Sequence, residues 1–552
     1  MELPLGELFE ATTLDALAAR LEAAVQAGRS LQAPPLEPVS RASELPLSFA
    51  QQRLWFLHQL DPASAFYNIP LAVRFTGLLD LEALERSFNE LVRRHESVRM
   101  TFRAHEGRPV QVPLPASALN LAVVDLQHLP ADAREAEARR LSREEAARPF
   151  DLARGPLLRV SMLKLAEREH VLLLTMHHII SDGWSMGVLI REMAALYEAF
   201  STGKPSPLPE PVLQYADYAA WQRRWLQGEA LQTQLSYWTK QLQGAPQLLE
   251  LPTDRPRPAA PTFRGAHLSV RLPLALTEAL KELSRREGAT LFMTLMSAFQ
   301  ALLARYTGQQ DVLVGTDIAN RTRADTEGLI GFFINQLVMR GRLDEAPTFR
   351  ELLARTRETA LAAYAHQDLP FEELVRVLNP ERGGGQAPLF QTKLILQNAP
   401  MSAIALPGLT LKPLEVEAHS ARLDLLVALT ETEEGLSCTW EYSTDLFEAS
   451  TIERMAGHFQ RLLEGIAAWP EQRLADVPLL SSEERQRLLV EWNDTRVEPT
   501  GGVCLHHAFE AQVARAPDAL ALLLGDTRLS YSELDRRANQ LAHHLRSLGV
   551  GP

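Results

Sequence analysis

Residues 176–187 read Met-His-His-Ile-Ile-Ser-Asp-Gly-Trp-Ser-Met-Gly, directly after Val171-Leu-Leu-Leu-Thr175. The apolar run before the histidines has no polar alternation, which predicts a strand buried on both faces. From Met186 the apolar residues recur every three or four positions through GVLIREMAALY, which predicts a helix to Tyr197, ending near Phe200. Polar side chains therefore cluster where a buried strand turns into a helix. Successive strand residues point to opposite faces, so of His177 and His178 only one can face a site if both stay extended. Two adjacent histidines on a strand do not share a face for a metal, and no H-E-x-x-H occurs, so no metal site is expected. Gly183-Trp184-Ser185-Met186-Gly187 also spells G-x-S-x-G, the nucleophile elbow of hydrolases. Two features oppose a serine nucleophile: in that class the acid and histidine follow the serine, and no HGGG-type oxyanion motif is present.

The surroundings are α/β in texture. At roughly 150 residues per domain, 552 residues suggest about three or four packing units. The net charge is −13 and no Lys/Arg block stands out, so nucleic acid is not an expected partner. Cys438 and Cys504 are far apart and form no C-x-x-C, consistent with ordinary thiols in a reducing cytosol. Met1 is followed by no signal-peptide pattern, and charges interrupt the apolar runs before the roughly 20 residues a membrane span needs. The expected location is the cytoplasm.

Along the chain, residues 1–28 suggest a helix capped by Thr12 or Thr13, and 29–44 a proline-bearing linker. Strands and helices then alternate from 45 to 478, with helices around 276–286 and 290–306, Thr290 as an N-cap and Gly308 as a stop. Asp311–Gly315 reads as a strand and 381–388 as a flexible loop. Residues 481–495 form a charged helix with a turn. A further α/β segment occupies 499–552, with a helix over 505–514, a strand near 519–524 and a helix from about 532.

Six stretches in order carry a resemblance. Ser48-Phe-Ala-Gln-Gln-Arg53-Leu-Trp55-Phe-Leu57, Arg94-His95-Glu96-Ser-Val-Arg99-Met-Thr-Phe102, His177-His178-Ile-Ile-Ser-Asp182-Gly183, Tyr215-Ala-Asp217-Tyr218-Ala-Ala-Trp221, Ile330-Gly331-Phe-Phe333-Ile-Asn335 and His366-Gln-Asp368-Leu-Pro370-Phe371-Glu372 resemble successive signatures of the condensation domains of nonribosomal peptide synthetases, the third being their HHxxxDG. The seventh signature is imperfect: after Arg382, Gly385 and Gln386 stand where the family has serine and arginine. Residues 5–25 resemble the end of a peptidyl carrier domain, without its phosphopantetheine-bearing serine. Leu529-Ser-Tyr531-Ser-Glu533-Leu534 resembles the first signature of an adenylation domain.

The resemblance implies an α/β fold of two chloramphenicol-acetyltransferase-like lobes arranged as a V-shaped pseudo-dimer. It divides the chain into a carrier fragment (1–28), a linker (29–44), an N-lobe (45–220), a C-lobe (221–478), a linker (479–498) and an adenylation fragment (499–552). It implies peptide-bond formation between a donor thioester on an upstream carrier and the α-amine of an acceptor on a downstream carrier, both on phosphopantetheine arms. No cofactor is expected to be bound covalently in this chain. The downstream stretch SDGWSMGVLIRE looks like the class joining an L-configured donor to an L-configured acceptor. Cyclising relatives carry an aspartate-based motif in place of the histidines, and epimerising relatives usually end a module; neither pattern is present. A non-catalytic carrier-recruiting platform is the alternative, against which the intact motif argues; a Ser185 hydrolase is a further one.

By resemblance the working histidine is His178. An α-amine has a pKa near 7.7–8.0, so roughly a tenth to a fifth is free at pH 7. His178 is then placed either to orient the amine or to accept its proton; the sequence leaves both open. His177 is expected to be structural. Asp182 is expected to pair with an arginine of the other lobe, for which Arg321 is the candidate. Gly183 suits a tight turn or the close approach of a substrate arm, and its N–H is available to an oxyanion. Trp184, Ser185 and Asn335 are expected along the substrate tunnel. Arg53, Trp55, Tyr218, Trp221 and His366 read as fold-forming.

Overall fold

In the computed structural model the described residues are 13–27, 33–260, 262–378, 387–397, 406, 408–414, 420–496 and 504–551. Their contacts divide the chain into two units, Met1–Leu479 and Leu480–Pro552.

The larger unit holds two mixed sheets. Strands β1 (Asn68–Gly77), β2 (Ala122–Asp125), β3 (Leu158–Ala166) and β4 (Glu169–His177) belong to the first. Strands β5 (Gly265–Pro273), β6 (Asp311–Ile318), β7 (Asn335–Arg342), β8 (Thr392–Gln397), β10 (Leu425–Thr432) and β11 (Gly435–Ser443) form the second, in the order β7-β6-β8-β10-β11-β5. One strand crosses: β9 (Leu409–Leu414) leaves the second half of the chain and pairs antiparallel with β1, so the first sheet runs β9-β1-β4-β3-β2. A division of the chain at 220 therefore does not separate the sheets. It also falls inside a helix, Tyr215–Trp225. The crossing approach is close at Gly77 (φ +137°), where a Cβ would lie 2.3 Å from the Gly408 carbonyl oxygen. Only glycine fits there without strain.

The apolar run 171–176 is the central strand β4, buried throughout. One set, Leu172, Leu174 and Met176, packs with Val73 and Phe75 of β1 against helices α1 (Leu81–Arg94) and α2 (Gly183–Ser201), through Leu84, Phe88, Leu91, Val188 and Leu189. The other set, Val171 and Leu173, packs with Leu163 and Leu165 beside Ala138 of helix Ala131–Ala147. Burial of this strand from both sides makes its far end, where the histidines stand, a rigid platform. In the second lobe α3 (Leu291–Thr307) is buried on every side from Met293 to Leu303, and Met293, Leu295, Met296, Ala298, Phe299 and Leu302 have no exposed surface. It is the core helix of that lobe. Thr290 caps it and Gly308 ends it in the left-handed region at φ 73°.

Helix Leu14–Ala27 follows Thr13, whose hydroxyl accepts from the Ala16 N–H. In the smaller unit, a hairpin of Leu520–Leu524 and Thr527–Ser530 leads into helix Tyr531–Ser547, capped by Ser530 and Glu533. Among the described residues no single helix is long and apolar enough to cross a membrane.

Candidate active site at the lobe junction

The motif turns more sharply than a continuing strand. Extended backbone ends at His177, and His178–Ile180 form one 3₁₀ turn. Ser181 and Asp182 are extended again before α2 begins at Gly183, three residues earlier than the apolar spacing predicts. The early start follows from Asp182, an N-cap whose Oδ1 accepts from the Ser185 N–H at 2.8 Å.

The two imidazoles diverge. His177 is buried among Phe150, Tyr67 and His58, with ring centroids at 6.0, 6.3 and 6.5 Å. Its Nδ1 accepts from the Ile179 N–H at 3.1 Å. Burial, reinforced by His178, pushes its pKa down to about 3, so it is a neutral structural ring. His178 is half-buried and sits edge-on to Phe332 of the second lobe, centroids 4.9 Å apart. Its N–H donates to the Tyr67 carbonyl at 2.7 Å. Its Nδ1 lies 2.9 Å from the Ser181 carbonyl. A carbonyl only accepts, so Nδ1 carries the proton and Nε2 presents a lone pair. No described residue hydrogen-bonds to Nε2. Burial and then the nearby Arg422 charge pull the His178 pKa down to about 4, opposed by Asp182 and the Ser181 carbonyl.

Asp182 is fully buried and spends its oxygens on the fold. Besides the Ser185 N–H, it accepts from the Phe333 N–H of the second lobe at 2.9 Å. Arg321 is also there, but 3.4 Å from Oδ1. The guanidinium has closer partners: the Thr326 carbonyl, the Leu329 carbonyl at 2.8 Å and Ser185 Oγ at 2.8 Å, with its face 3.9 Å over Phe333. Backbone amides and the arginine thus share the carboxylate, and neither oxygen hydrogen-bonds to the His178 ring.

Three positions expected along the tunnel divide. Trp184 is half-buried and donates to the Glu327 carbonyl at 2.9 Å. Ser185 has no exposed surface: its hydroxyl donates to the Gly331 carbonyl at 2.8 Å and accepts from the Gly331 N–H at 3.0 Å and from Arg321. A hydroxyl has one hydrogen and two lone pairs, and all are used. Asn335 is likewise spent, donating to the Gln367 and Leu369 carbonyls and accepting from the Phe371 N–H. Both spend their polar atoms on the fold and have none unpaired to offer a ligand, while Asn335 still lines a small cavity with Phe332, Phe333 and Pro370. Gly183 lies outside the left-handed region, so its φ does not call for glycine, and a Cβ there would meet nothing within 4 Å. It opens space next to the motif.

Other signatures support this junction. At Gly331 a Cβ would fall 1.9 Å from the Tyr215 ring, whose hydroxyl bonds to Ser48 and the Phe332 carbonyl. Arg53 reaches Glu372 at 3.1 Å, tying the first signature to the sixth. His366 stacks on Tyr237 at 4.0 Å and bonds to the Ala362 carbonyl. Residues 379–386, with the departures at Gly385 and Gln386, lie outside the described residues. Among the described residues, the grouping with metal-type ligands is Cys504, His506 and His507 in the smaller unit, all exposed, with ligand atoms within 4.8 Å; the motif histidines take no part in it. The sequence reading missed Arg422, which reaches the Phe66 carbonyl at 2.7 Å. It lies 244 positions from His178 and in no signature, so no spacing could reveal it.

A family model described as "Condensation domain" matches residues 41–489, and one described as "AMP-binding enzyme" matches 509–552. A linear gramicidin synthase polypeptide of Brevibacillus parabrevis is 50% identical over 552 residues, which is 100% of this chain and 7% of that protein. The chain thus spans a small part of this much longer relative. Of solved structures, the X-domain from teicoplanin biosynthesis is 31% identical with a TM-score of 0.74, over 81% of this chain and 100% of that one. The first condensation domain of the calcium-dependent antibiotic synthetase, in complex with a substrate analogue, is 25% identical with a TM-score of 0.68, over 80% and 100%.

Proposed function

The chain belongs to the condensation-domain family of nonribosomal peptide synthetases, amide-forming acyltransferases, with the start of an AMP-binding domain after it, and on that premise we propose that it joins two carrier-bound aminoacyl thioesters at His178. The donor acyl group, on an upstream carrier, is attacked by the α-amine of an acceptor on a downstream carrier. A C–N bond forms, the C–S bond breaks, and the chain passes to the downstream arm. Both arms are phosphopantetheine groups supplied by the carriers. We assign the L-donor to L-acceptor class on the motif's downstream sequence, and read residues 1–28 as a carrier fragment, 29–44 and 479–498 as linkers, 45–220 and 221–478 as the two lobes, and 499–552 as the adenylation start.

The observation that carries this reading is the free Nε2 of His178, with its tautomer fixed by the Ser181 carbonyl at 2.9 Å. A ring with a pKa of about 4 is too weak a base to deprotonate an ammonium near 8. It can accept a hydrogen bond from an amine that is already free, and so align it. It takes the proton once the nitrogen bonds to carbon and becomes acidic, then returns it to the departing thiolate. General acid–base help of this kind is typically worth about 10²–10⁴-fold.

The test loads donor and acceptor thioesters on separate carriers and follows dipeptide by mass spectrometry. His178→Ala is expected to lose at least about 10²-fold in rate, whereas Ser185→Ala keeps much of it. The opposite ranking, or labelling of Ser185 by a fluorophosphonate, refutes the assignment.

A further inference from the structure

Arg422 stands two residues before Asp424, in the stretch Ser420-Ala-Arg-Leu-Asp424 that leads into β10. Its guanidinium crosses to the first lobe. It donates to the Phe66 carbonyl at 2.7 Å and lies over the rings of Tyr67 and Phe66, 4.1 and 4.4 Å from their centroids. The next carbonyl, that of Tyr67, accepts the His178 N–H at 2.7 Å. One residue of the second lobe thereby grips the two-residue segment on which the His178 backbone hangs.

Few protein groups engage the Arg422 charge. Guanidinium has five N–H donors, and among the described residues only the Phe66 bond uses one. No carboxylate among the described residues pairs with it. The carboxylates in its field are Glu441 and Asp317, and each has a nearer nitrogen: Lys393 at 2.8 Å from Asp317, the His267 ring at 3.4 Å from Glu441. Arg53 also faces it, tied to Glu372. Arg422 is exposed to solvent, yet enough protein crowds its guanidinium that burial pushes its pKa down. Of the charged groups that act on His178, Arg422 disfavours its protonation and Asp182 favours it. His177 adds to the same side as Arg422 only if charged, and burial, His178, His58, Arg422 and Arg159 all keep it neutral.

We propose that Arg422 is a positioning residue that also acts electrostatically: it fixes the Phe66–Tyr67 segment under His178, and its unpaired charge keeps a second cation away from the lobe junction at His178, so that the acceptor α-amine arrives neutral. The amine leaves its proton with solvent on entry, and His178 stays free to receive the proton released on attack. The inference rests on the condensation reading above. It gives that site what a weak histidine base cannot supply, a means of raising the free-amine fraction.

The test is the pH dependence of single-turnover dipeptide formation between about pH 5.5 and 9, a range that brackets the ordinary α-amine pKa, with saturating carrier-bound substrates. It compares the full chain with Arg422→Gln and Arg422→Lys. For unit charges roughly 10 Å apart and an effective dielectric constant between about 20 and about 80, since Arg422 touches solvent, the acid limb of Arg422→Gln moves up by about 0.3–1 pH unit. Arg422→Lys keeps the charge and loses the fork, so its limb stays in place while its rate falls at every pH. An unmoved limb in Arg422→Gln, with a uniform loss across pH, marks a purely structural role and overturns the proposal. Should Arg422→Gln fail to fold, a raised limb in Arg422→Lys overturns it equally. A wild-type chain that forms no dipeptide refutes the condensation reading instead, so the two failures are distinct.

Discussion

Replacing Asp182 by alanine removes three contacts that cross or cap the lobe junction. The cap on α2, an Oδ1 bond of 2.8 Å to the Ser185 N–H, is typically worth about 1 kcal/mol. The Phe333 N–H, now at 2.9 Å from Oδ2, is left buried without an acceptor at about 1–3 kcal/mol. Breaking a buried ion pair commonly costs about 3–5 kcal/mol. Here the arginine is 3.4 Å away and keeps the Thr326 and Leu329 carbonyls and Ser185 Oγ, so about 1 kcal/mol is the appropriate share. The total is about 4 kcal/mol. Unfolding entropy of about 2.1 cal/mol/K per residue, over the roughly 440 residues of the two lobes, gives about 0.9 kcal/mol/K. The melting midpoint of the larger unit should therefore fall by about 4 °C. Asp182→Asn keeps one acceptor oxygen and turns an amide donor toward the other N–H, so it should still destabilise, but by less. The assay is differential scanning fluorimetry of the full chain beside the two-carrier rate well below the transition. Phe333 follows Phe332, the ring against His178, so rate and midpoint should fall together. A variant with the wild-type midpoint and no activity would give Asp182 a direct chemical role and refute the bond-by-bond account. An unchanged midpoint with full activity would refute it as well.

Two further outcomes follow from the same geometry. Gly183→Ala should fold and react almost as the wild type, because its Cβ meets open space, whereas Gly183→Leu should melt normally but lose at least about tenfold in dipeptide rate by filling the room beside His178; a Leu variant with full activity would show that no substrate arm passes there. The larger unit should lose stability on acidification, since His177 binds a proton below about pH 6.5 when unfolded but only near 3 when folded. Its contribution is intact above about pH 6.5 and has fallen by about 2 kcal/mol at about pH 5. Urea midpoints at about pH 7 and about pH 5 measure this, and His177→Gln should shrink the difference without abolishing it, because His178, held down to about 4, is linked in the same direction; a difference as large as the wild type's in that variant removes His177 as a cause.

Local signals were legible where a short stretch settles its own conformation. The apolar run before His177, the Thr290 and Ser530 caps, and the Gly308 stop each follow from a few neighbouring residues, and the structure has them. The start of α2 was misplaced because its cap belongs to the polar motif, where apolar spacing is silent. Contacts between distant stretches were not legible. No period in residues 409–414 announces that they leave the second lobe to extend the first sheet, because an edge strand of either sheet has the same local chemistry. The Asp182–Arg321 pairing came from resemblance, and even then the dominant partners proved to be amides, which every residue but proline carries and no sequence pattern marks. Arg422 is the extreme case, one cation among the 56 Lys and Arg residues, distinguished only by what surrounds it.

The G-x-S-x-G string shows why a motif must be judged by the free valences of its atoms. A nucleophilic serine needs an exposed oxygen, a base able to take its proton, and a third group to hold that base. Ser185 is presented by the expected strand, turn and helix, yet its hydroxyl is closed by both backbone groups of Gly331 and by a guanidinium that only donates. Arg321 has no lone pair to accept the serine proton, so no base exists on that side. His178, seven residues earlier, has the complementary inventory: one ring nitrogen committed to a carbonyl, the other uncommitted, and a positive neighbour that keeps it unprotonated. The same short turn thus holds a serine, Ser185, whose hydroxyl is saturated and a histidine, His178, whose Nε2 is not. Of these two, only the second is open to chemistry at neutral pH.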